Sequence, residues 1–203
     1  MEILNSFEDV RNVIGEPNPV ANKKIYYFLN DRMTNFISLS PMMMLSTVDS
    51  DGFPTISPKG DDAGFVRAVD KNTLLIPELR GNKLAFSLSN IVEQNKVALI
   101  FLVPGTNESL RVHGTCRLLT GDDICKSLVS KSHQALLVME VKVSNAYFHC
   151  GKAFLRSKTW QADSWREKIK ISFGQEITEN TGDDSKFMET LDAGIKERYV
   201  TEL

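Results

Sequence analysis

No apolar run in this chain is long enough to cross a bilayer. The longest, residues 97–103 (VALIFLV), falls far short of the ~20 that a membrane helix needs. Cysteine is scarce: Cys116, Cys125 and Cys150 are widely spaced, odd in number and form no CxxC pair. Such a set suggests neither a disulfide framework nor a zinc site, and no metal is expected. A basic surplus is missing too, since 24 Lys and Arg face 26 Asp and Glu for a formal net charge of −2. That argues against a general nucleic-acid binder. The opening MEILNSFEDV places acids where a secretory leader needs basic and apolar residues. A cytoplasmic protein without membrane or nucleic-acid partners is the expectation. No internal repeat is visible, and 203 residues suit one domain.

What is present is organised around residues 73–114. An apolar run, Leu74-Leu75-Ile76-Pro77, leads into the turn Arg80-Gly81-Asn82-Lys83. Leu84, Leu88, Ile91 and Val92 then recur at helical spacing before the strand-like run 97–103. A basic turn that opens a helix can hold a phosphate, because the first N–H groups are unpaired and the helix dipole favours negative charge there. Asn82 is placed to cap that helix, with Arg80 and Lys83 supplying charge. Ser87 and Asn90, three apart, share one face of it. The same pattern also suits a plain solvated helix end.

Residues 1–40 read as helical: 7–14, ended by Gly15-Glu16-Pro17; 19–29; and 32–39, capped by Asn30 or Asp31. These helices are expected to pack onto a β region, with Tyr26, Tyr27 and Phe28 as packing residues rather than a stacking surface. Strands are expected over 42–48 and 53–57, then 65–69 and 73–77, 97–103, 109–119 and 135–147, with a charged loop over 58–64. Met42, Met43 and Met44 alternate faces on a strand, so they cannot converge on one ion. A short helix is expected over 121–130, another from 151 to Trp160, and a continuation through Trp165, Ile169 and Ile171. Residues 174–185, acidic and poor in apolar groups, read as a loop, and 187–200 as a final helix. His113 reads as a hydrogen-bonded or surface residue rather than a catalyst, and His133 as surface. Adjacent His149 and Cys150 cannot align as base and nucleophile, because adjacent residues rarely line up for in-line proton transfer.

Five motifs occur in order over most of residues 30–160: SPKGDDAGFV (57–66), LLIPELRGNK (74–83), SLSNI (87–91), VPGTNESLRVHG (103–114) and HCGKAFLRSKTW (149–160). In this order they resemble the pyridoxamine 5'-phosphate oxidase-like superfamily of FMN-binding split barrels, and its FMN-dependent branch in particular. The resemblance implies a mainly β, α+β architecture: a six-stranded antiparallel split β-barrel over 41–147 with flanking helices over 1–40 and 148–203. It implies FMN as cofactor and a homodimer with flavin at the interface.

By the same resemblance the flavin contacts are Ser57, Lys59, Arg80, Asn82, Lys83, Ser87, Asn90 and Arg111, joined by Lys152, Arg156 and Trp160, the last three from either subunit. No catalytic side chain is named, since the flavin would carry the redox chemistry between a small organic substrate and NAD(P)H. Pyridoxamine phosphate oxidation itself is not expected, because Arg80-Gly81-Asn82-Lys83 departs from that enzyme's phosphate-binding pattern and its C-terminal substrate residues find no match. Three alternatives stay open: a flavin carrier or store without turnover, a barrel using haem or a deazaflavin, and a cofactor-free oligomeric scaffold.

Overall fold

The computed structural model describes residues 2–128, 133–182 and 184–201. Two compact units divide the chain, residues 1–160 and 161–203.

The first unit is built on one antiparallel sheet of seven strands, in the order β2-β1-β5-β6-β7-β4-β3. The strands are β1 (Met42–Val48), β2 (Pro54–Gly60), β3 (Arg67–Asp70), β4 (Thr73–Glu78), β5 (Lys96–Leu102), β6 (Ser109–Leu119) and β7 (Leu137–His149). This is a split barrel with one strand more than the resemblance implied. Each of the seven runs read as a strand forms one, with the four-residue β3 at the far edge answering to the run expected over 65–69.

Period-two burial sets the two faces of the sheet. Cross-strand partners share a face, so Ser57, Leu45, Leu99, Val112 and Ala146 form one inward row. Pro58, Met44, Ile100, Arg111 and Tyr147 form the neighbouring outward row. Inward Met43, Leu45, Leu74, Ile76, Leu99, Phe101, Leu110, Val112 and Met139 are almost fully buried and fill the barrel. The methionine run obeys the same alternation, with Met43 in the core and Met42 and Met44 on the other face.

Helix α2 (Asp31–Ser38), capped by the Asn30 side chain on the Met33 N–H, buries Met33 and Ile37 in this core. Helix α1 (Phe7–Ile14) carries a capping box between Ser6 and Asp9 but buries nothing, which corrects the expectation that all N-terminal helices pack. The amphipathic helix expected over 19–29 is also corrected. Only a 3-10 turn, Ala21–Lys24, forms. Tyr26 then pairs with Ala146 through N–H donation in both directions, 3.0 and 2.8 Å. The part of β7 beyond its ladder with β4 offers a free edge, and an aromatic segment satisfies it by extending.

Two more corrections bear on the site. The loop expected from residue 58 begins later, because β2 continues to Gly60 and carries Lys59 as a strand residue. β2 is an edge strand, where Pro58 leaves no ladder bond unmade. Helix α3 (Phe86–Gln94) starts later than the basic turn. Lys83 and Ala85 are left-handed, φ 62° and 56°, and break the helical path between the turn and the helix.

Helix α4 (Asp122–Lys126) occupies the first half of the helix expected over 121–130, whose last two positions lie outside the described residues. Helix α5 (Lys152–Ser157) ends at left-handed Lys158. In the second unit, a 3-10 turn at Ala162–Ser164 replaces the continuing helix, consistent with the alternation Lys168-Ile169-Lys170-Ile171. Helices α6 (Phe173–Thr181) and α7 (Ser185–Thr201) follow. The loop expected over 174–185 is therefore mostly helix. The Ser172 hydroxyl caps the Gln175 N–H and left-handed Gly182 ends the helix, signals that outweigh the acidic composition. Gly174 lies against the Met188 carbonyl with no room for a Cβ, and its N–H donates to Asp192 at 2.8 Å. Among the described residues no helix is long and apolar enough to cross a membrane.

Candidate functional site

A cleft of about 490 Å³ opens between the inner side of β2 and the connection from β4 to α3. Of the residues singled out in the sequence, Ser57, Lys59, Arg80, Asn82 and Ser87 line it. They come from three separate motifs, and the sheet explains why they meet. Ser57 and Lys59 sit opposite buried Leu45 and Met43, so they point to the core side of an edge strand, where the barrel is not filled. Arg80 and Asn82 leave the end of β4 on the other side of the opening, and Ser87 follows in the first turn of α3.

One lining residue was not visible in the sequence. Glu78, at the end of β4, accepts from Lys59 Nζ at 2.6 Å, and the two side chains are only 19% and 18% exposed. Nothing in a sequence separation of 19 announces that contact. Lys59 is thus a positioned cation with a counter-charge.

Asn82 has a different role from the helix cap expected of it: its Oδ1 accepts from the Leu84 N–H at 3.0 Å and shapes the turn. Lys83 belongs to that turn but lies outside the lining, and it is exposed. Exposed Ile56, Leu84 and Phe86 add an apolar rim.

Asn90 does not line the cleft. It is buried, and its amide donates to Thr47 Oγ1 at 2.9 Å and Thr55 Oγ1 at 3.2 Å, while the two hydroxyls lie 2.7 Å apart. This triad ties α3 to the β1–β2 hairpin. Arg111 belongs to the outward row of β6, on the opposite face from Ser57 and Lys59, so it does not reach its own chain's cleft. Lys152, Arg156 and Trp160 are likewise not lining residues. Trp160 stacks on Phe154 at 5.6 Å and donates Nε1–H to the Thr106 carbonyl at 2.9 Å. That bond pins the segment after α5 to the turn before β6.

The histidines and cysteines sit elsewhere. His113 packs edge-on against Tyr147, and His149 is held below the ordinary histidine value, first by burial and then by Arg111 and Lys24. Burial, followed by the charge of Glu140, pushes the Cys116 thiol up to about 12. Among the described residues no group of three or more His, Cys, Asp or Glu converges as metal ligands.

Comparison with solved structures returns partial likeness only. HupZ of Group A Streptococcus is 21% identical over 59% of this chain and 93% of its own, with a TM-score of 0.49. A protein of Lactobacillus delbrueckii, provisionally described as a pyridoxamine 5'-phosphate oxidase, is 26% identical over 60% and 95%, with a TM-score of 0.47. A Clostridium acetobutylicum protein related to general stress protein 26 is 12% identical over 59% and 86%, with a TM-score of 0.45. Comparison with curated proteins gives no match. The family profile described as pyridoxamine 5'-phosphate oxidase matches residues 29–150. That span contains the whole seven-stranded sheet and every residue of the cleft. The chain belongs to the pyridoxamine 5'-phosphate oxidase family.

Proposed function

We propose that this protein is an FMN-dependent oxidoreductase that holds its flavin in the cleft between β2 and the β4–α3 connection. The carrying observation is the convergence there of Ser57, Lys59, Arg80, Asn82 and Ser87 in one space of about 490 Å³. Small-molecule and cofactor sites usually measure ~300–1,000 Å³.

The residues fit a flat, phosphorylated ligand. Arg80 and neighbouring Lys83 offer charge to a phosphate monoester, which carries about two negative charges at neutral pH. The Ser57 and Ser87 hydroxyls suit a polyol chain, and Ile56, Leu84 and Phe86 offer apolar cover to a ring system. Lys59, held by Glu78, fixes a positive charge at the wall of the cleft. When bound, the flavin would supply hydride transfer. The chain's residues bind, orient and shield, and no side chain has to act as a nucleophile. The substrate is a small organic molecule, with NAD(P)H as candidate donor.

The reading includes a cytoplasmic homodimer with flavin at the interface. Arg111, Lys152, Arg156 and Trp160 stand apart from their own chain's cleft, so a second copy is the route by which they would contribute.

A purified protein with oxidised-flavin absorption bands, releasing FMN by mass, is the expected result. Colourless protein that also fails to bind added FMN overturns the proposal, and a Soret band would point to haem instead. The alternative is a flavin carrier without turnover. Reduction by NAD(P)H faster than that of free FMN separates the enzyme from the carrier.

A further inference from the structure

We propose that a second cleft, where β6 runs on beyond the start of β5, binds a small monocarboxylate with a short apolar tail. β5 pairs with β6 only as far as Lys96 and Thr115, whereas β6 continues through Leu119 beside β7. The end of α3 lies there instead, and the Asn95 carbonyl accepts from the Cys116 N–H at 2.6 Å. Backbone donors alternate sides along a strand, so the next N–H turned that way is Leu118's, where no strand receives it. The space left is a cleft of about 520 Å³, within the usual range for small-molecule sites. It shares no lining residue with the cleft at β2 and contains none of the residues assigned to the flavin.

The two sides of this cleft differ in kind. Buried Ile91 and Cys116 form an apolar floor, with Leu118 and exposed Val92 beside them. Arg117 and Lys142 stand at the rim, on the outward face of β6 and β7. Glu140 holds both: Oε2 accepts from Arg117 Nε at 2.5 Å, and Oε1 lies 3.9 Å from Lys142 Nζ. Its side chain is 12% exposed against 69% and 56% for the two cations, so the acid is turned in and they are turned out. Lys142 Nζ is fixed further by donating to Thr73 Oγ1 at 2.9 Å. Glu140 is the one acid in the lining among the described residues, so the rim keeps a single net positive charge. The Cys116 thiol, pushed up to about 12 first by burial and then by Glu140, stays neutral and adds no charge. One net charge matches a carboxylate better than a phosphate monoester, which carries about two. Arg117 engages Glu140 through Nε, and its terminal N–H groups suit the oxygens of a second carboxylate, with the Leu118 N–H as a further donor. The tail then covers Ile91, Val92 and Leu118 and removes their apolar surface from water.

The test is a methyl NMR titration of the full-length protein with hexanoate, hexylamine and acetate, followed at Ile91 and Val92. Hexanoate is expected to shift both saturably, acetate to bind more weakly and hexylamine to leave them unmoved. Arg117→Gln is expected to weaken hexanoate binding roughly tenfold, the scale of one charge-assisted hydrogen bond. Val92→Glu, at an exposed helix position, is expected to weaken it too, read at Ile91, and serves should Arg117→Gln fail to fold. The absence of a saturable shift overturns the proposal. So does an equal response to hexylamine or acetate, or a hexanoate affinity that survives both substitutions. Repeating the hexanoate titration on FMN-saturated protein is expected to give the same affinity, and competition by FMN overturns the proposal. Because the first titration needs no flavin, it can fail without the assignment of the cleft at β2 failing, and the reverse.

Discussion

Lys59 Nζ and Glu78 Oε2 meet at 2.6 Å across the opening of the barrel. Their strands are not neighbours: β2 is one edge of the sheet and β4 lies next to the other edge. The pair therefore joins the two sides of the split where the cleft lies.

Replacing Glu78 by Gln leaves a mostly buried ammonium without its counter-charge. Such a pair lies between the exposed and buried cases, so a loss of about 1–3 kcal/mol is expected, read as a lower thermal midpoint. The freed Lys59 should also bind phosphate-bearing ligands several-fold more tightly. If Glu78→Gln changes neither the midpoint nor FMN affinity, the pair is incidental to both.

Asn90 and Ser87 sit on one helix, yet they should respond differently to truncation. Asn90→Ala removes both amide bonds to the Thr47–Thr55 pair and loosens α3, at about 1–3 kcal/mol. Ser87→Ala should leave the midpoint nearly unchanged and weaken flavin binding. Thermal melts beside FMN titrations of both variants decide it, and the reverse pattern would refute the assignment.

Stability should depend on pH through His149. Its folded value lies below the ordinary 6.5, so the unfolded chain takes up a proton that the native state resists. Its contribution is complete above 6.5 and is lost as pH falls through that value toward the folded one. Asp9 and Asp70, also lowered, act only near and below 3.8. Urea midpoints should fall between about pH 7 and pH 5.5, with a shallower slope in His149→Gln. Equal slopes would assign the effect to another group.

The three thiols should separate by access. Cys150 is exposed, whereas Cys116 and Cys125 are buried, with Cys116 pushed up to about 12. Alkylation of native protein at neutral pH should label Cys150 alone, and all three after denaturation, as mass mapping of peptides would show. Labelling of Cys116 in the native state would mean that the β6 face opens.

Much of this was legible in one dimension. The strands followed from alternation because a pleated strand exposes every second side chain to the core, and Met42, Met43 and Met44 obeyed it. Helix α2 followed from its Asn30 cap, a local hydrogen bond. Five of the eleven predicted contacts line one cleft, since their motifs sit at the ends of elements that the barrel brings together. Local rules failed where a tertiary partner outbid them. Tyr26 extends because β7 has a free edge, and Asn90 turns inward because Thr47 and Thr55 wait there.

By itself the sequence determined the strand and helix periodicity, the inner and outer faces, and the motifs that mark the family. Those depend on near neighbours and on a side-chain period of two or 3.6. Only the tertiary structure decided that Lys59 answers to Glu78, that Arg111 faces away from Ser57, and that Lys24 lies over the Tyr147 ring. Charges far apart along the chain become partners only when the register of the sheet and the closure of the barrel bring them within a few ångströms.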